Sequence, residues 1–316
     1  MRGGAAVTTL TTSVQTIRKP VPLAVRSGRV LKTVLTYLAL LLGCVIYIFP
    51  FFWMVTTSLK TVANIYLDPP QWIPAPAVWA NYVEMWKVGK TGNWLINSTV
   101  VTGVSVVAIT ASSTVVAYGF SRFRWPGSRV QFVLLLSTLM LPGHMTIIPK
   151  YVMFNQVGWL DTLWPLIVPT LFGAPFFIFL LRQFFQTLPR ELDEAARMDG
   201  ASSFYVLTRV LMPLSIPALS TVAALTFVSS WTDFFEPLVY LGRPESQTWQ
   251  VGLFWFRTFT TGGSGYSAGG TEASDPSNTM HLLMGASVVS ITPMVIAFFL
   301  AQKQFIQGVA LTGIKG

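Results

Sequence analysis

The sequence predicts an all-α membrane protein with six transmembrane helices, and three observations support this fold class. Only 10% of the 316 residues are charged, against about 25% in an average soluble domain. Six windows without Asp, Glu, Lys or Arg are long enough to cross the bilayer, which needs roughly 20 apolar residues. These windows are continuously apolar and do not alternate, which favours helices over a barrel. They cover residues 33–59, 91–121, 130–149, 162–181, 210–232 and 276–302.

Basic residues are distributed unevenly between the two sides of the predicted membrane domain. Most of the 21 Lys and Arg residues lie in the N-terminal tail, in the second and fourth loops and at the C-terminus. Cytoplasmic segments carry the excess of Lys and Arg in membrane proteins, so both termini are expected in the cytoplasm. Anionic membrane lipid at the inner leaflet accounts for the net charge of +9, and no nucleic-acid partner is needed.

The windows divide the chain into a membrane core and two tails. The expected boundaries are a cytoplasmic N-terminal tail at 1–31, a first transmembrane helix at 32–59, an extracytoplasmic loop at 60–92, a core at 93–303 and a cytoplasmic C-terminal tail at 304–316. The first loop is rich in Pro and Trp, which predicts an extended stretch followed by a short interfacial helix. The Gly-rich run at 261–270 predicts a flexible insertion, either a tolerated extension or a contact for a soluble partner.

A proline interrupts the third window and predicts a broken helix there. Pro142 and Gly143 stand together inside 130–149. A break of this kind is tolerated in a membrane only where neighbouring helices or a water-filled cavity satisfy the freed backbone groups. The break indicates either helices that line a path or an ordinary kink.

The segment 187–213, between the fourth and fifth windows, predicts a short helix, a turn and a second helix. Pro189 suits the first helical position, and Arg190 can pair with Glu194 four residues later. Asp199 and Gly200 form a turn signal that ends this helix.

The second helix of the segment has its own start and stop signals. Ser202 or Ser203 can cap it, and Pro213 should end it near Leu211.

The first helix of the segment has a surface suited to docking. Ala195 and Ala196 make a small, flat face that a partner's cleft can approach, and Glu194 offers a charge to a basic partner. The alternative is an amphipathic linker helix that rests on lipid.

The run EAARMDGASSFYVLTRVLMPLSIP at 194–217 closely resembles the EAA loop of ABC importer permeases. We call 187–213 the EAA loop from here on. The motif positions that match are Glu194, Ala195, Ala196, Asp199, Gly200, Ala201 and Pro213, whereas Met212 replaces the usual Leu. LMLPGHMTIIPKY at 139–151, LDTLWPLIVP at 160–169, WTDFFEPLVYL at 231–241 and FIQGVALTGIKG at 305–316 are similar to the second permease subunit of the maltose-type carbohydrate subfamily.

This resemblance implies a type I ABC importer permease fold in a bacterial or archaeal cytoplasmic membrane. The implied partners are a second homologous permease, two ATPase subunits and an extracytoplasmic sugar-binding protein. The residues implied in ATPase coupling are Glu194, Ala195, Ala196, Asp199, Gly200 and Ala201, with the C-terminal Gly313, Ile314, Lys315 and Gly316 reaching towards the ATPase. The resemblance also implies that this chain binds no cofactor and is no enzyme, because ATP and Mg²⁺ belong to the partner ATPase.

Two other classes of protein were weighed against a permease. An ion-coupled secondary transporter usually places ionisable groups near the bilayer midplane, and the windows contain none. An intramembrane metalloenzyme needs ligands that the two distant histidines, His144 and His281, do not supply, so no metal site is predicted.

The substrate path is the least defined part of the sequence. Aromatic side chains at Trp231 and Phe235 can stack on a sugar ring, and Asn97 or Thr232 can bond its hydroxyls. A lipid-interface position is the alternative for Trp231. Asp233 is expected at headgroup depth, because it lies roughly 35 Å along a straight helix counted from residue 210.

Overall fold

The computed structural model describes residues 23–260 and 279–313, with side chains for 31–256 and 279–302. Throughout these ranges every regular element is helical. The chain forms two compact units, Met1–Phe52 and Trp53–Gly316. The Gly-rich run at 261–270 lies outside the described residues.

Helix α1 (Leu23–Ser58) supplies all of the described part of the first unit. Its stretch Leu31–Ser58 has a mean hydropathy of 2.4, and its large apolar side chains are exposed, as in a helix that lipid surrounds. The first transmembrane helix predicted at 32–59 is therefore present, but it begins inside the predicted tail 1–31. The reason is that charge marks where the apolar run begins, whereas backbone helicity starts directly after Pro22.

The second unit holds the remaining helices. Those up to the EAA loop are α2 (Val62–Ile65), α3 (Ala80–Glu84), α4 (Thr91–Arg122), α5 (Ser128–Ser137), α6 (Ile147–Gln156), α7 (Trp164–Ile167) and α8 (Pro175–Thr187). Those of the loop and beyond it are α9 (Glu191–Met198), α10 (Ser203–Tyr205), α11 (Met212–Leu214), α12 (Ile216–Trp231), α13 (Phe235–Tyr240), α14 (Trp249–Thr260) and α15 (Met280–Gly313). Short 3₁₀ segments lie at Met85–Lys87, Thr138–Met140, Gly143–Thr146 and Val168–Phe172, and a π-helical segment lies at Val206–Leu211.

Four stretches are long and apolar enough to cross a membrane, and two bent helix pairs raise the number to six when each pair is one span. The straight spans are Leu31–Ser58, Thr91–Arg122, Trp164–Thr187 and Met280–Gln302. The bent pairs are Ser128–Met140 with Gly143–Gln156, at 95°, and Ser203–Leu214 with Ile216–Trp231, at 83°. Each predicted window overlaps one of these six, and the third is broken at the predicted proline.

The regions between and after the spans differ in part from the predicted boundaries. Loop 60–92 holds α2, an irregular stretch and then α3. Helix α15 continues past its apolar span, which ends at Gln302, into the predicted tail 304–316 and reaches Gly313. No charge or proline interrupts α15 between 304 and 313, so the backbone has no signal to stop there.

Helix α4 is the centre of the second unit. It packs against α8 and α12, and α12 packs in turn against α15. The buried face of α4 is rich in small polar residues, among them Ser98, Thr102, Ser105, Ser113 and Thr114. Small side chains let transmembrane helices approach each other closely. The same helix runs from the cavity described below to the EAA loop, and so connects the two candidate sites.

Candidate functional site

The turn of the EAA loop is a Schellman motif that closes α9. The Gly200 N–H donates to the Arg197 carbonyl at 3.0 Å, and the Ala201 N–H donates to the Ala196 carbonyl at 3.0 Å. Gly200 has a φ of +82°, a left-handed conformation that side chains with a Cβ rarely adopt. The helix thus ends at the predicted turn, and the geometry explains why a glycine stands there.

The start of α9 differs from the prediction. The helix begins at Glu191, so Pro189 precedes it instead of opening it. Leu188, directly before the proline, is extended with a ψ of 135°, because proline disfavours a helical conformation in the residue before it.

The second helical arm of the EAA loop is capped as predicted but ends later. The Ser202 hydroxyl accepts a hydrogen bond from the Tyr205 N–H at 3.2 Å, which makes Ser202 the N-cap. The predicted end at Leu211 is wrong, since the arm continues to Leu214. The π-helical segment Val206–Leu211 places Pro213 in the first turn of α11, where its missing N–H is not needed.

The EAA motif is divided between two faces of the loop. Glu194, Ala195 and Asp199 are exposed, whereas Ala196 and Ala201 are half-buried and pack against one of the protein's own hydrophobic clusters. The prediction that Ala195 and Ala196 share one docking face is therefore wrong for Ala196. The physical reason is the helical period: neighbouring residues lie 100° apart, so an amphipathic helix of two turns separates them.

Large apolar side chains extend the exposed face. Met198 is 88% exposed and Phe204 is 72% exposed. Met198 lies between the spans, where an apolar side chain this exposed is typical of an interaction surface, and Phe204 stands at the start of the bent pair that begins at Ser203. We call Glu194, Ala195, Met198, Asp199 and Phe204 the docking face. Sequence reasoning missed Met198 and Phe204, although the polar residues around them were a usable signal.

A buried ion pair fastens the EAA loop to the end of α4. The Arg122 Nε lies 2.8 Å from the Asp193 Oδ2, and the two side chains are 3% and 9% exposed. Arg122 also donates from Nη2 to the Leu188 carbonyl at 3.2 Å. We call this arrangement the clasp. Sequence reasoning paired Arg190 with Glu194 and missed the clasp, because its partners are distant in the chain.

A cavity of about 380 Å³ lies in the second unit between α4, α12 and α13. Of the four substrate-path candidates, the cavity is lined by Phe235 and not by Asn97, Trp231 or Thr232. Its charged and titratable lining residues are His144, Asp233 and Glu236.

The other three candidates have structural contacts. Asn97 donates its amide to the carbonyls of Glu245 and Gln247, each at 2.9 Å. Trp231 is 3% exposed and donates its indole N–H to the Ser290 carbonyl, so it joins α12 to α15 and is not a lipid-interface anchor. The Thr232 hydroxyl bonds the Val228 carbonyl at 2.7 Å.

The path to Asp233 is bent and not straight, with an 83° change of direction between Leu214 and Ile216. Asp233 lies two residues after the end of α12 at Trp231. It lines the cavity together with Ser105, from the middle of α4. Its carboxylate also accepts a hydrogen bond from the Glu236 N–H at 3.4 Å, at the start of α13.

The acidic end of the cavity has one internal counter-charge. The Lys150 ammonium lies 3.0 Å from the Glu236 carboxylate. Burial and the neighbouring Glu236 raise the pKa of Asp233 to about 6. Lys150 acts on Asp233 in the opposite direction and lowers its pKa, by less than burial and Glu236 raise it.

Of the C-terminal coupling candidates, Gly313 is the last residue of α15. Ile314, Lys315 and Gly316 lie outside the described residues.

The comparisons with known proteins all give membrane components of transport systems. The family described as "Binding-protein-dependent transport system inner membrane component" matches residues 21–311. The probable ABC transporter permease protein YurM of Bacillus subtilis is 31% identical over 273 residues, covering 85% of this chain and 84% of that protein. The melibiose/raffinose/stachyose import permease protein MelC of the same species is 29% identical over 286 residues, covering 90% and 96%.

A solved structure shares the fold. It is a crystal structure of a bacterial ABC transporter involved in the import of the acidic polysaccharide alginate. One of its chains superposes with a TM-score of 0.72 at 23% identity, over 88% of this chain and 97% of that chain. The predicted all-α importer-permease fold is confirmed.

Proposed function

The chain belongs to the family of binding-protein-dependent transport system inner membrane components, and on that premise we propose that it forms half of the path of an ATP-driven sugar importer. It is a permease of the inner membrane, a transport component and not an enzyme. A permease of this kind works with an ATPase, a binding protein and a second permease. The family gives no support to the ion-coupled alternative.

The EAA loop supports the coupling role most directly. Its docking face presents Glu194 and Met198 to a partner, while its opposite face is held to α4 by the clasp. A loop built in this way can receive a movement from outside and pass it to a transmembrane helix. We assign the ATPase contact to Glu194, Ala195, Asp199 and Gly200, with Ala196 and Ala201 supporting them from behind.

The finer composition of the transporter belongs to the same proposal. Two ATPase subunits bind the EAA loops of this chain and of a homologous permease, and hold the ATP and Mg²⁺. An extracytoplasmic binding protein delivers the sugar, and the excess of Lys and Arg supports a cytoplasmic position for the EAA loop and both termini. The C-terminal Gly313, Ile314, Lys315 and Gly316 are proposed to approach the ATPase.

A sugar is the proposed cargo because the relative MelC is named for the import of melibiose, raffinose and stachyose. Transport would follow alternating access: closure of the ATPase pair moves the EAA loops, and the cavity turns to the opposite side of the membrane.

Replacing Glu194 with Lys tests the docking role. We expect the variant to remain in the membrane with the second permease, but to bind the ATPase at least about tenfold more weakly, since like charges then face each other. Co-purification with a tagged full-length chain and ATP-dependent sugar uptake in proteoliposomes measure the two effects. Glu191→Lys is the matched control, because it makes the same charge change in the first turn of the same helix.

Two results would contradict the proposal. Normal ATPase binding and uptake by Glu194→Lys would remove the docking role of this residue. A wild-type chain that purifies as a homo-oligomer, without an ATPase, would overturn the importer itself.

A further inference from the structure

The cavity in the second unit lies where two interrupted helices meet the middle of α4. Ser105 and Ile109 line it from α4, Gly143 from the break between α5 and α6, and Asp233 from the break between α12 and α13. Interrupted helices are stable at membrane depth only beside protein or a polar cavity. The backbone of this unit is therefore interrupted at the positions where it borders the cavity.

Hydroxyl groups form most of the polar lining. They belong to Ser105, Thr170, Thr226, Ser229 and Ser230. Thr226 is 1% exposed, and its hydroxyl has no hydrogen-bond partner among the described residues. A buried hydroxyl without a partner is unfavourable, so a ligand that supplies a hydroxyl would be stabilised there.

The charge of the lining is negative. Among the described residues that line it there is no Lys or Arg. The Lys150 ammonium pairs with the Glu236 carboxylate, and its attraction for Asp233 is smaller than the opposing effects of burial and of Glu236. The Asp233 carboxylate is left to face the cavity beside the ring of Phe235, which offers apolar surface. Carboxylates accept short, strong hydrogen bonds from hydroxyl and ammonium donors, and both kinds of donor occur on sugars.

Resting on the proposed function, we propose that this cavity holds a sugar unit during transport, and that Asp233 makes it selective for neutral or amine-bearing sugars over acidic ones. An acidic sugar would bring a second anion next to Asp233 in a site of low dielectric, where like charges repel strongly.

Thiol labelling tests the charge of the cavity without depending on the binding protein. Cys44 is the chain's single cysteine, so Cys44→Ser gives a background in which Ser229→Cys places one thiol of this chain at the lining. The full transporter complex is treated with cationic, neutral and anionic methanethiosulfonates, and labelling of this subunit is followed on gels. We expect the cationic-to-anionic rate ratio to exceed that of a free thiol by roughly tenfold.

Three variants test whether Asp233 causes the preference for the cationic reagent. Asp233→Asn should bring the ratio to that of a free thiol, whereas Asp233→Glu should keep it. Asp68→Asn, the same chemical change at an exposed position outside the cavity, should leave it unchanged. The proposed selectivity would be wrong if the labelling ratio at Ser229→Cys equalled that of a free thiol. It would also be wrong if Asp233→Asn did not alter the ratio.

Protection by sugar separates this proposal from the proposed function. In a complex that takes up a neutral sugar, that sugar should slow labelling of the introduced thiol several-fold. If the complex takes up sugar but the sugar does not slow labelling, the cavity is not the sugar site. The proposed importer function is not affected by that result. Absence of ATP-dependent sugar uptake in wild type would instead overturn the proposed function.

Discussion

At the scale of single residues, Gly200 shows how one backbone angle determines the docking face. Its φ of +82° reverses the chain between α9 and the second arm. A Cβ added there meets no atom within 4 Å. The requirement for glycine in the isolated chain is therefore conformational and not steric.

Gly200→Val and Gly200→Asn separate these two requirements. A left-handed conformation costs most residues about 1–2 kcal/mol, is an outlier for β-branched ones and is tolerated by Asn. We expect Gly200→Val to impair the coupling of ATP hydrolysis to sugar uptake in the purified, reconstituted complex. Gly200→Asn should preserve most of this coupling. If both variants lose coupling equally, the added side chain collides with the ATPase. If neither variant loses coupling, the conformation of this turn does not control it.

The charge of the Asp233 carboxylate should also depend on pH. Because its pKa is raised to about 6, the carboxylate is ionised well above pH 6 and takes up a proton as the pH falls through that value. Glu236 from α13, Lys150 from α6 and His144 from the 3₁₀ segment face the same region. The cationic-to-anionic labelling ratio at Ser229→Cys should therefore fall between pH 7.5 and about 5.5.

The labelling ratio is the right measurement because both reagents need the same thiolate, whose own titration cancels. Asp233→Asn serves as the control. A pH dependence that persists unchanged in Asp233→Asn would belong to His144 or Glu236 and would contradict the assignment to Asp233.

At the scale of elements, the clasp connects the EAA loop to α4, the helix that also lines the cavity. Arg122 stands in the last turn of α4, where a positive charge complements the helix dipole. Asp193 stands in the first turn of α9, where a negative charge does the same. The buried pair therefore connects α9 directly to the helix that lines the cavity.

Removing one partner of the clasp should destabilise the chain strongly. Asp193→Ala leaves the Arg122 guanidinium buried without its counter-charge, which costs about 3–5 kcal/mol. Thermal unfolding of the purified complex in detergent measures the loss. The exposed pair Lys90–Glu245, with an N–O distance of 3.9 Å, is the control, since Glu245→Ala should cost no more than about 1 kcal/mol.

The swapped pair, Arg122→Asp with Asp193→Arg, tests whether the two residues act together. It should recover part of the stability and of the coupling between ATP hydrolysis and uptake that each single variant loses. Strictly additive effects of the two substitutions would show that the pair does not transmit movement between the helices.

At the scale of the whole molecule, much of the architecture could be predicted from the sequence. Each charge-free window overlaps one of the four straight spans or one of the two bent pairs, and Pro142 identified the break in the third window. The two arms of the EAA loop followed from Ser202, Gly200 and the acidic first turn. These signals are local, because each depends on a few consecutive residues and on the cost of placing charge or a broken backbone in lipid.

The failures share a different cause. Trp231 was predicted in the substrate path or at the lipid interface, and Ala196 on a docking face. Trp231 is buried inside the protein, and Ala196 is half-buried against the protein's own core. Lipid tails and a protein core are equally apolar, so hydropathy does not distinguish which face of a membrane helix is covered by protein. The 83° bend inside the fifth window was not predicted, because a bend leaves no charge signal.

The sequence by itself determined that the chain spans the membrane, where its helices lie and which loop carries the docking motif, because these depend on the transfer of residues between water and lipid and on short-range backbone preferences. Only the tertiary structure decided that Asp193 holds that loop to Arg122, and that Asp233 meets Ser105 across a cavity. Those contacts join residues that are 71 and 128 positions apart. Such pairings depend on how helices pack, which no local pattern of residues records.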